Sequence, residues 1–274
     1  MEAETKVEFS LPAKAENVPL IRHALSGVAE AVEMEPSAIA DLKTVVTEAC
    51  MNVVIHAYEG KPDAGPLMVS AWPYDSQLVV RVADEGRGIR PLADVEQRSL
   101  RLGLPLIAAL TESFEISGGP GRGTAVTMRV SLAGVGDEIP EPGEAPVADT
   151  PEETRITLPA NDLLAPVLSR VISMFAARAD FSVDQLSDAV LLSDALSAQG
   201  PDRFPEGTAR IAVSEYPRSF SVRVGPLDDG GGQRLLEGLR IPTLDASLEG
   251  LAEEVHVERS SEGESLVLRI GRPA

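Results

Sequence analysis

The chain has 274 residues, one cysteine, and 43 acidic against 24 basic residues, for a formal net charge of −19. At about 100 to 200 residues per domain this length suggests one large or two ordinary domains, and 43% hydrophobic residues is ordinary for a folded chain. The lone Cys50 excludes a disulfide framework or a cysteine-cluster metal site. The charge argues against a nucleic-acid or anionic-membrane surface, which needs clustered Lys and Arg. The longest apolar run, Leu104 to Leu110, is far short of the ~20 residues that span a bilayer. The N-terminus shows no signal-peptide pattern, so a soluble, cytoplasmic protein is expected.

Residues 7–13, VEFSLPA, read as a strand, and a helical stretch follows at Ser37 to Ala57. Two strand-like runs, Leu67 to Trp72 and Gln77 to Val82, precede an apolar helix predicted over Leu104 to Glu115 and a last strand over Thr124 to Leu132. The composition then shifts. Residues 134–153, GVGDEIPEPGEAPVADTPEE, hold seven acidic residues, four prolines and no basic residue. Like charges repel and proline donates no hydrogen bond, so an extended linker is expected between domains at 1–133 and 154–274.

Beyond the linker the same order recurs. TRITLPA at 154–160 matches VEFSLPA, a helical stretch runs from Ser182 to Ala198, and strands are predicted at Ala209 to Val213 and Ser219 to Val224. A helix over Ala246 to His256 and a strand over Ser265 to Ile270 complete the second half. Each half reads as strand, two helices, a hairpin, a helix and a final hairpin. That pattern predicts an α+β, two-layer α/β sandwich with helices on one face of a mixed sheet, present twice.

Three segments of the first half carry candidate chemistry. Leu42, Val45, Val46, Ala49 and Val53 form an apolar helical stripe, while Glu48, Asn52 and His56 are spaced i, i+4, i+8 on another face. A carboxamide oxygen is a hard ligand for Mg²⁺ and a carboxylate can accept a hydroxyl proton, although an ordinary polar helix face has the same spacing. Asp84-Glu-Gly86-Arg-Gly88 follows the strand that ends at Val82. Its aspartate can accept from an exocyclic amine, and its glycines allow close backbone approach or simply a turn. Gly118-Gly-Pro-Gly121-Arg-Gly123-Thr124 can cradle phosphates or close a hairpin. Before it, Leu102-Gly103-Leu-Pro105-Leu-Ile107 is predicted to open a helix, with Pro105 in the first turn and free N–H groups for an anion.

In this order and spacing, residues 5–132 resemble the Bergerat-type, histidine-kinase-like ATP-binding fold of gyrase, the heat-shock chaperone ATPases, mismatch-repair ATPases and histidine kinases. Glu48-xxx-Asn52 resembles the N box, Asp84-x-Gly86-x-Gly88 the first glycine box, and Gly121-x-Gly123-Thr124 the second. Glu-xxx-Asn-xxx-His-Ala-Tyr58 and the Leu-Gly-Leu-Pro-Leu-Ile string are most similar to bacterial anti-sigma factor serine kinases. The resemblance implies ATP and Mg²⁺ as cofactors, Asn52 as the Mg²⁺ ligand, and Asp84 as the adenine reader, with Gly86 and Gly88 shaping its pocket. It further implies lid and phosphate-side contacts from Gly103, Gly121, Gly123 and Thr124, and Glu48 as general base toward a partner's serine. Where the family carries another glycine before the lid helix, Arg101 stands here, beside Arg90 and Arg98 in the lid. His56 reads as structural, since no acceptor-histidine dimerisation helix accompanies it.

In the second half, alignment sets Asp194 against Glu48, Ala198 against Asn52 and Pro226 against Asp84, with Ser260-Ser-Glu-Gly-Glu-Ser265 in place of the glycine-rich turn. A degenerate copy without nucleotide is expected, able to serve as a built-in second subunit where relatives form homodimers. The leading expectation is an anti-sigma-type serine kinase that binds a sigma factor and phosphorylates a small antagonist protein. The alternatives are a nucleotide-sensing binding module and an ATP-hydrolysing clamp. No P-loop, dinucleotide fingerprint or zinc constellation is present. The charge divides into −6 for 1–133, −7 for 134–153 and −6 for 154–274, so much of the acidity belongs to the linker.

Overall fold

Alternation in the first strand sets the architecture: Val7, Phe9 and Leu11 are buried while Glu8, Ser10 and Pro12 are half-exposed, so one sheet face meets the core. The computed structural model describes residues 6–88, 100–132, 152–198, 204–205, 207–238 and 252–271. The chain divides into two compact units at Glu152 and Glu153. Of the predicted linker, only those two residues lie within the described ones. Glu153 accepts from Arg155 Nε at 3.2 Å and Ser214 Oγ at 3.1 Å, both in the second unit. Among the described residues no helix is long and apolar enough to cross a membrane.

The first unit runs β1 (Val7–Pro12), α1 (Val18–Ala31), α2 (Pro36–Asn52), β2 (Pro66–Tyr74), β3 (Gln77–Asp84), α3 (Leu100–Leu110), β4 (Ser113–Gly118) and β5 (Thr124–Ser131). Pro36 opens α2 at a position where its missing N–H has no helical partner to lose. The stripe Leu42, Val45, Val46, Ala49 and Val53 is buried, as its spacing predicts. With Phe9, Leu11, Leu20, Ile21 and Leu25 it forms the core between helices and sheet, each large side chain contributing about 1.5–3 kcal/mol by burial.

The strand order is β4-β5-β3-β2-β1, and every described pairing is antiparallel rather than mixed. Chain geometry explains the difference. Two helices return the chain from Pro12 to Pro66 at the same end of the sheet, so β2 must run against β1. The single helix α3 delivers β4 to the edge, and β5 then fills the gap beside β3 in the opposite direction.

The predicted helix over Leu104 to Glu115 is also corrected. α3 spans Leu100–Leu110, its end marked by the Thr111 hydroxyl donating to Ile107 O at 2.8 Å, and 113–118 form β4. Phe114 and Ile116 alternate there against Met128 and Val126, a strand period that overrides the apolar run before it. Pro105 therefore lies inside the helix rather than in its opening turn.

The second unit runs β6 (Thr154–Pro159), α4 (Leu164–Arg178), α5 (Val183–Ala198), β7 (Thr208–Tyr216), β8 (Ser219–Leu227), α6 (Gly231–Gly238), β9 (Ala252–Ser260) and β10 (Gly263–Gly271). Its strand order is β6-β7-β8-β10-β9, again antiparallel at every described pairing. Ser182 and Gln185 form a reciprocal capping box at the start of α5, and Phe175 and Phe181 flank Phe220 at 5.9 and 5.8 Å in the core. The helix predicted over Ala246 to His256 is corrected where it is described: Ala252 onward belongs to β9, while 246–251 lie outside the described residues. α6 has no counterpart in the sequence expectation, because its Gly-Gly start reads as loop.

Candidate functional site

The end of α2 brings the first motif into position. Glu48 and Asn52 lie one turn apart and half-exposed. At Val53–Ala57 the α-helix widens into a π-helical turn, so His56 does not continue the α-helical register of the pair. Such turns are frequent at functional sites because they re-aim the following chain. Glu48 lines an open hollow between α1 and α2 with Arg22, His23, Lys43, Thr44 and Thr47. The Thr44 and Thr47 hydroxyls donate to Ala40 O at 3.0 Å and Lys43 O at 2.7 Å, which leaves their lone pairs for an incoming donor. Cys50 faces the core on the same helix, where burial pushes its thiol up to about 12, so it is no nucleophile.

The chain leaving the π-turn is tied to the strand end that carries the second motif. The buried Tyr58 hydroxyl donates to Pro66 O at 2.6 Å and accepts from Glu85 N at 2.9 Å. Its ring fills the space a Cβ on Gly65 would occupy, and the Lys61 ammonium lies 5.2 Å from the ring centroid. Arg87 N donates to Ala57 O and Arg87 Nε to His56 O, both at 3.1 Å, while its guanidinium pairs with Glu59. Gly121 N reaches Arg87 O at 2.9 Å, which brings in the third motif.

Glycine is required at several points of this junction. A Cβ on Gly86 would overlap the Ala57 carbonyl, one on Gly88 the Gly119 carbonyl oxygen, and one on Gly123 the Asp84 carbonyl oxygen. Gly88 and Gly123 also have φ of +70° and +72°. Gly121, at φ +73°, stands in open space. Its glycine answers the backbone conformation alone.

Asp84 is the chemical centre of this junction. It ends β3 opposite Thr124 and is only 7% exposed. Gly86 N donates to its Oδ1 at 2.7 Å, and the Thr124 backbone donates as well. Burial raises its pKa above the usual carboxylate range, and these two hydrogen bonds and the Lys61 charge offset that only in part. A buried carboxylate left short of compensation is suited to a donor brought by a ligand.

The structure thus brings Asp84, Gly86, Gly88, Gly123 and Thr124 together around the end of the π-turn, with Asn52 and Glu48 one and two turns back along the helix. Gly103 lies within α3, and Arg101 shares that helix. Arg90 and Arg98 lie outside the described residues. The sequence reading missed Tyr58 and Arg87 as elements of the junction. Tyr58 stood in the motif string without a role, and Arg87 stood unassigned between two glycines.

The corresponding corner of the second unit is built differently. Glu264 pairs with Leu227, one residue beyond the Pro226 that the sequence alignment sets against Asp84 because a register shift lengthens β8, and so holds the strand-end ladder position that Thr124 holds against Asp84. Its side chain is 5% exposed, and Oε1 accepts from Arg259 Nε at 3.0 Å. Gly232 N, at the start of α6, donates to Oε2 at 3.0 Å, and the Gly230 backbone adds a further bond. These bonds, led by Gly232, hold Glu264 below the usual carboxylate range. A Cβ on Gly232 would lie 2.5 Å from Val257 Cγ1, so the glycine run packs closely around this carboxylate.

A five-stranded antiparallel sheet under helices, with these three motifs on the segments that meet at one corner, has the architecture of an ATPase domain of the histidine kinase type. Residues 11–130 match the histidine kinase-like ATPase domain family, and the chain belongs to that family. The anti-sigma F factor of Caldanaerobacter subterraneus subsp. tengcongensis is 31% identical over 137 residues, covering 47% of this chain and 94% of that protein. Serine-protein kinase RsbW of Bacillus thuringiensis is 41% identical over 86 residues, 31% of this chain and 52% of its own length. A solved histidine kinase domain from the blue-light activated histidine kinase of Erythrobacter litoralis is 25% identical, with a TM-score of 0.30 over 35% of this chain and 48% of that one.

Proposed function

We propose that the first unit binds ATP with Mg²⁺ and transfers its γ-phosphoryl group to a serine of a small antagonist protein, while the chain restrains a sigma factor. The observation that carries this reading is Asp84: a buried, under-compensated carboxylate amid backbone that only glycine can occupy, suited to an amine such as that of adenine. The names of the matched relatives support the anti-sigma side of the reading.

Asn52 would hold the metal. Among the described residues no group of three His, Cys, Asp or Glu could bind an ion alone, and Mg²⁺ ordinarily takes few protein ligands and shares phosphate oxygens, so a single carboxamide fits. When bound, Mg²⁺ neutralises phosphate charge. The protein's part is positioning and proton transfer. Glu48 accepts the serine hydroxyl proton as the serine Oγ–P bond forms and the bond from the γ-phosphorus to the β,γ-bridging oxygen breaks, releasing ADP. The hollow beside Glu48, lined by Arg22, Lys43 and two threonine hydroxyls, gives the partner segment a polar approach.

For the second unit we propose a degenerate copy of the same fold, acting as a built-in partner and holding no nucleotide. Its matching element and strand order and the carboxylate at its Thr124-equivalent position support this. A chain that is monomeric at 29.0 kDa by light scattering fits a built-in partner, and a homodimer contradicts it.

Transfer from labelled ATP to the cognate antagonist tests the kinase reading. Glu48→Ala should keep Mg·ATP affinity within about threefold and lose about 10²–10⁴-fold in transfer rate. Native protein that binds ATP but labels no serine refutes the kinase reading and supports a nucleotide-sensing module.

A further inference from the structure

Arg87 is the residue whose bonds reach all three motifs of the first unit. Its main chain lies in the first glycine box, its carbonyl accepts from Gly121 in the second, and its side chain and N–H bond the carbonyls that end the helix carrying Glu48 and Asn52. The last carbonyls of a helix lack intrahelical partners, and a guanidinium donating to one caps it and favours the negative end of the dipole. The cap here comes from 31 residues away in sequence rather than from the helix itself. Gly86 and Gly88 on either side admit no Cβ, so the intervening residue alone can send a side chain from this stretch back to the helix end.

Building on the proposed nucleotide reading, we infer that Arg87 is a positioning residue: by capping His56 O it couples the adenine-side loop to the helix end and sets the position of Asn52 for the metal. The Glu59 pair steers the guanidinium but contributes little itself, because the two side chains are 35% and 55% exposed and solvent screens them. The carbonyl bond carries the coupling. Removing it should loosen the π-turn and uncouple the metal-dependent part of ATP affinity from the adenine part.

Two measurements on the full chain test this, one of them without nucleotide. Amide hydrogen exchange across 53–58 should quicken at least about tenfold in Arg87→Met, remain near native in Glu59→Gln, and recover partly in Arg87→Lys, with residues 42–49 unchanged in all three. ATP titrations with Mg²⁺ and with EDTA should show Arg87→Met losing about tenfold of the Mg²⁺-dependent gain, while affinity in EDTA stays within about twofold. Equal losses in Mg²⁺ and EDTA, or exchange that rises uniformly through α2, would mean a merely structural role and overturn the inference. So would native behaviour in Arg87→Met. If the native chain binds no ATP in either condition, the nucleotide reading itself falls, and the exchange data then stand only for the cap.

Discussion

The two units fasten the same corner of the sheet with a carboxylate drawn from different strands. In the first, Asp84 at the end of β3 takes the Gly86 and Thr124 N–H groups. In the second, Glu264 at the start of β10 takes N–H groups at the head of α6 and pairs with Arg259. Their surroundings act in opposite directions: burial, offset only in part by two backbone hydrogen bonds and the Lys61 charge, raises the pKa of Asp84, whereas several donors lower that of Glu264. A carboxylate satisfied by its own chain is structural. One whose burial is offset only in part, as at Asp84, fits the proposed role of meeting a donor that a ligand brings.

The most severe way to break this difference is Gly123→Ala. The added Cβ would overlap the Asp84 carbonyl oxygen, and the native φ of +72° penalises any side chain. A loss of about 3 kcal/mol or more is expected, confined to the first unit and read from the fluorescence of Trp72, the single tryptophan, which lies in β2. A smaller structural effect with a large functional one is expected of Asp84→Asn. It should lower ATP affinity at least ~100-fold by reversing the hydrogen-bond character offered to an amine. It should also leave the apo first unit no less stable.

The pH dependence follows from the direction of each shift. Asp84, raised in the folded state, contributes stability that is complete below the unfolded carboxylate pKa and is lost as pH rises through its folded value. Glu264, lowered, contributes stability present above the unfolded value and lost as pH falls through its folded one. Glu264→Gln should therefore lower the unfolding midpoint of the second unit at neutral pH and flatten its acid limb, with Trp72 fluorescence and ATP affinity unchanged. A Glu264→Gln chain that gains or loses nucleotide binding would break the comparison.

The sequence showed much of this, unevenly. The apolar stripe of α2 and the glycines at 86, 88 and 123 were legible because burial and backbone overlap constrain residue type directly. Asp84 stood out at a strand end between such glycines. Arg87 and Tyr58 did not, because each is tied to a backbone group far off in sequence, His56 O at 31 residues and Glu85 N at 27, and any residue supplies a carbonyl or an N–H. The boundary between α3 and β4 was lost in a continuous apolar run, and the antiparallel sheet could not be read without knowing where each helix returns the chain. α6 was hidden for another reason. Its glycines signal a loop, and the Glu264 carboxylate that accepts from Gly232 N at the helix start comes from β10, 32 residues further on.

The central claim is that the first unit takes nucleotide through Asp84 and the second takes none. Calorimetric titration of the intact chain with Mg·ATP tests it most directly. The account predicts one nucleotide per chain, abolished by Asp84→Asn and untouched by Glu264→Gln; two nucleotides per chain, none, or one that survives Asp84→Asn would contradict it.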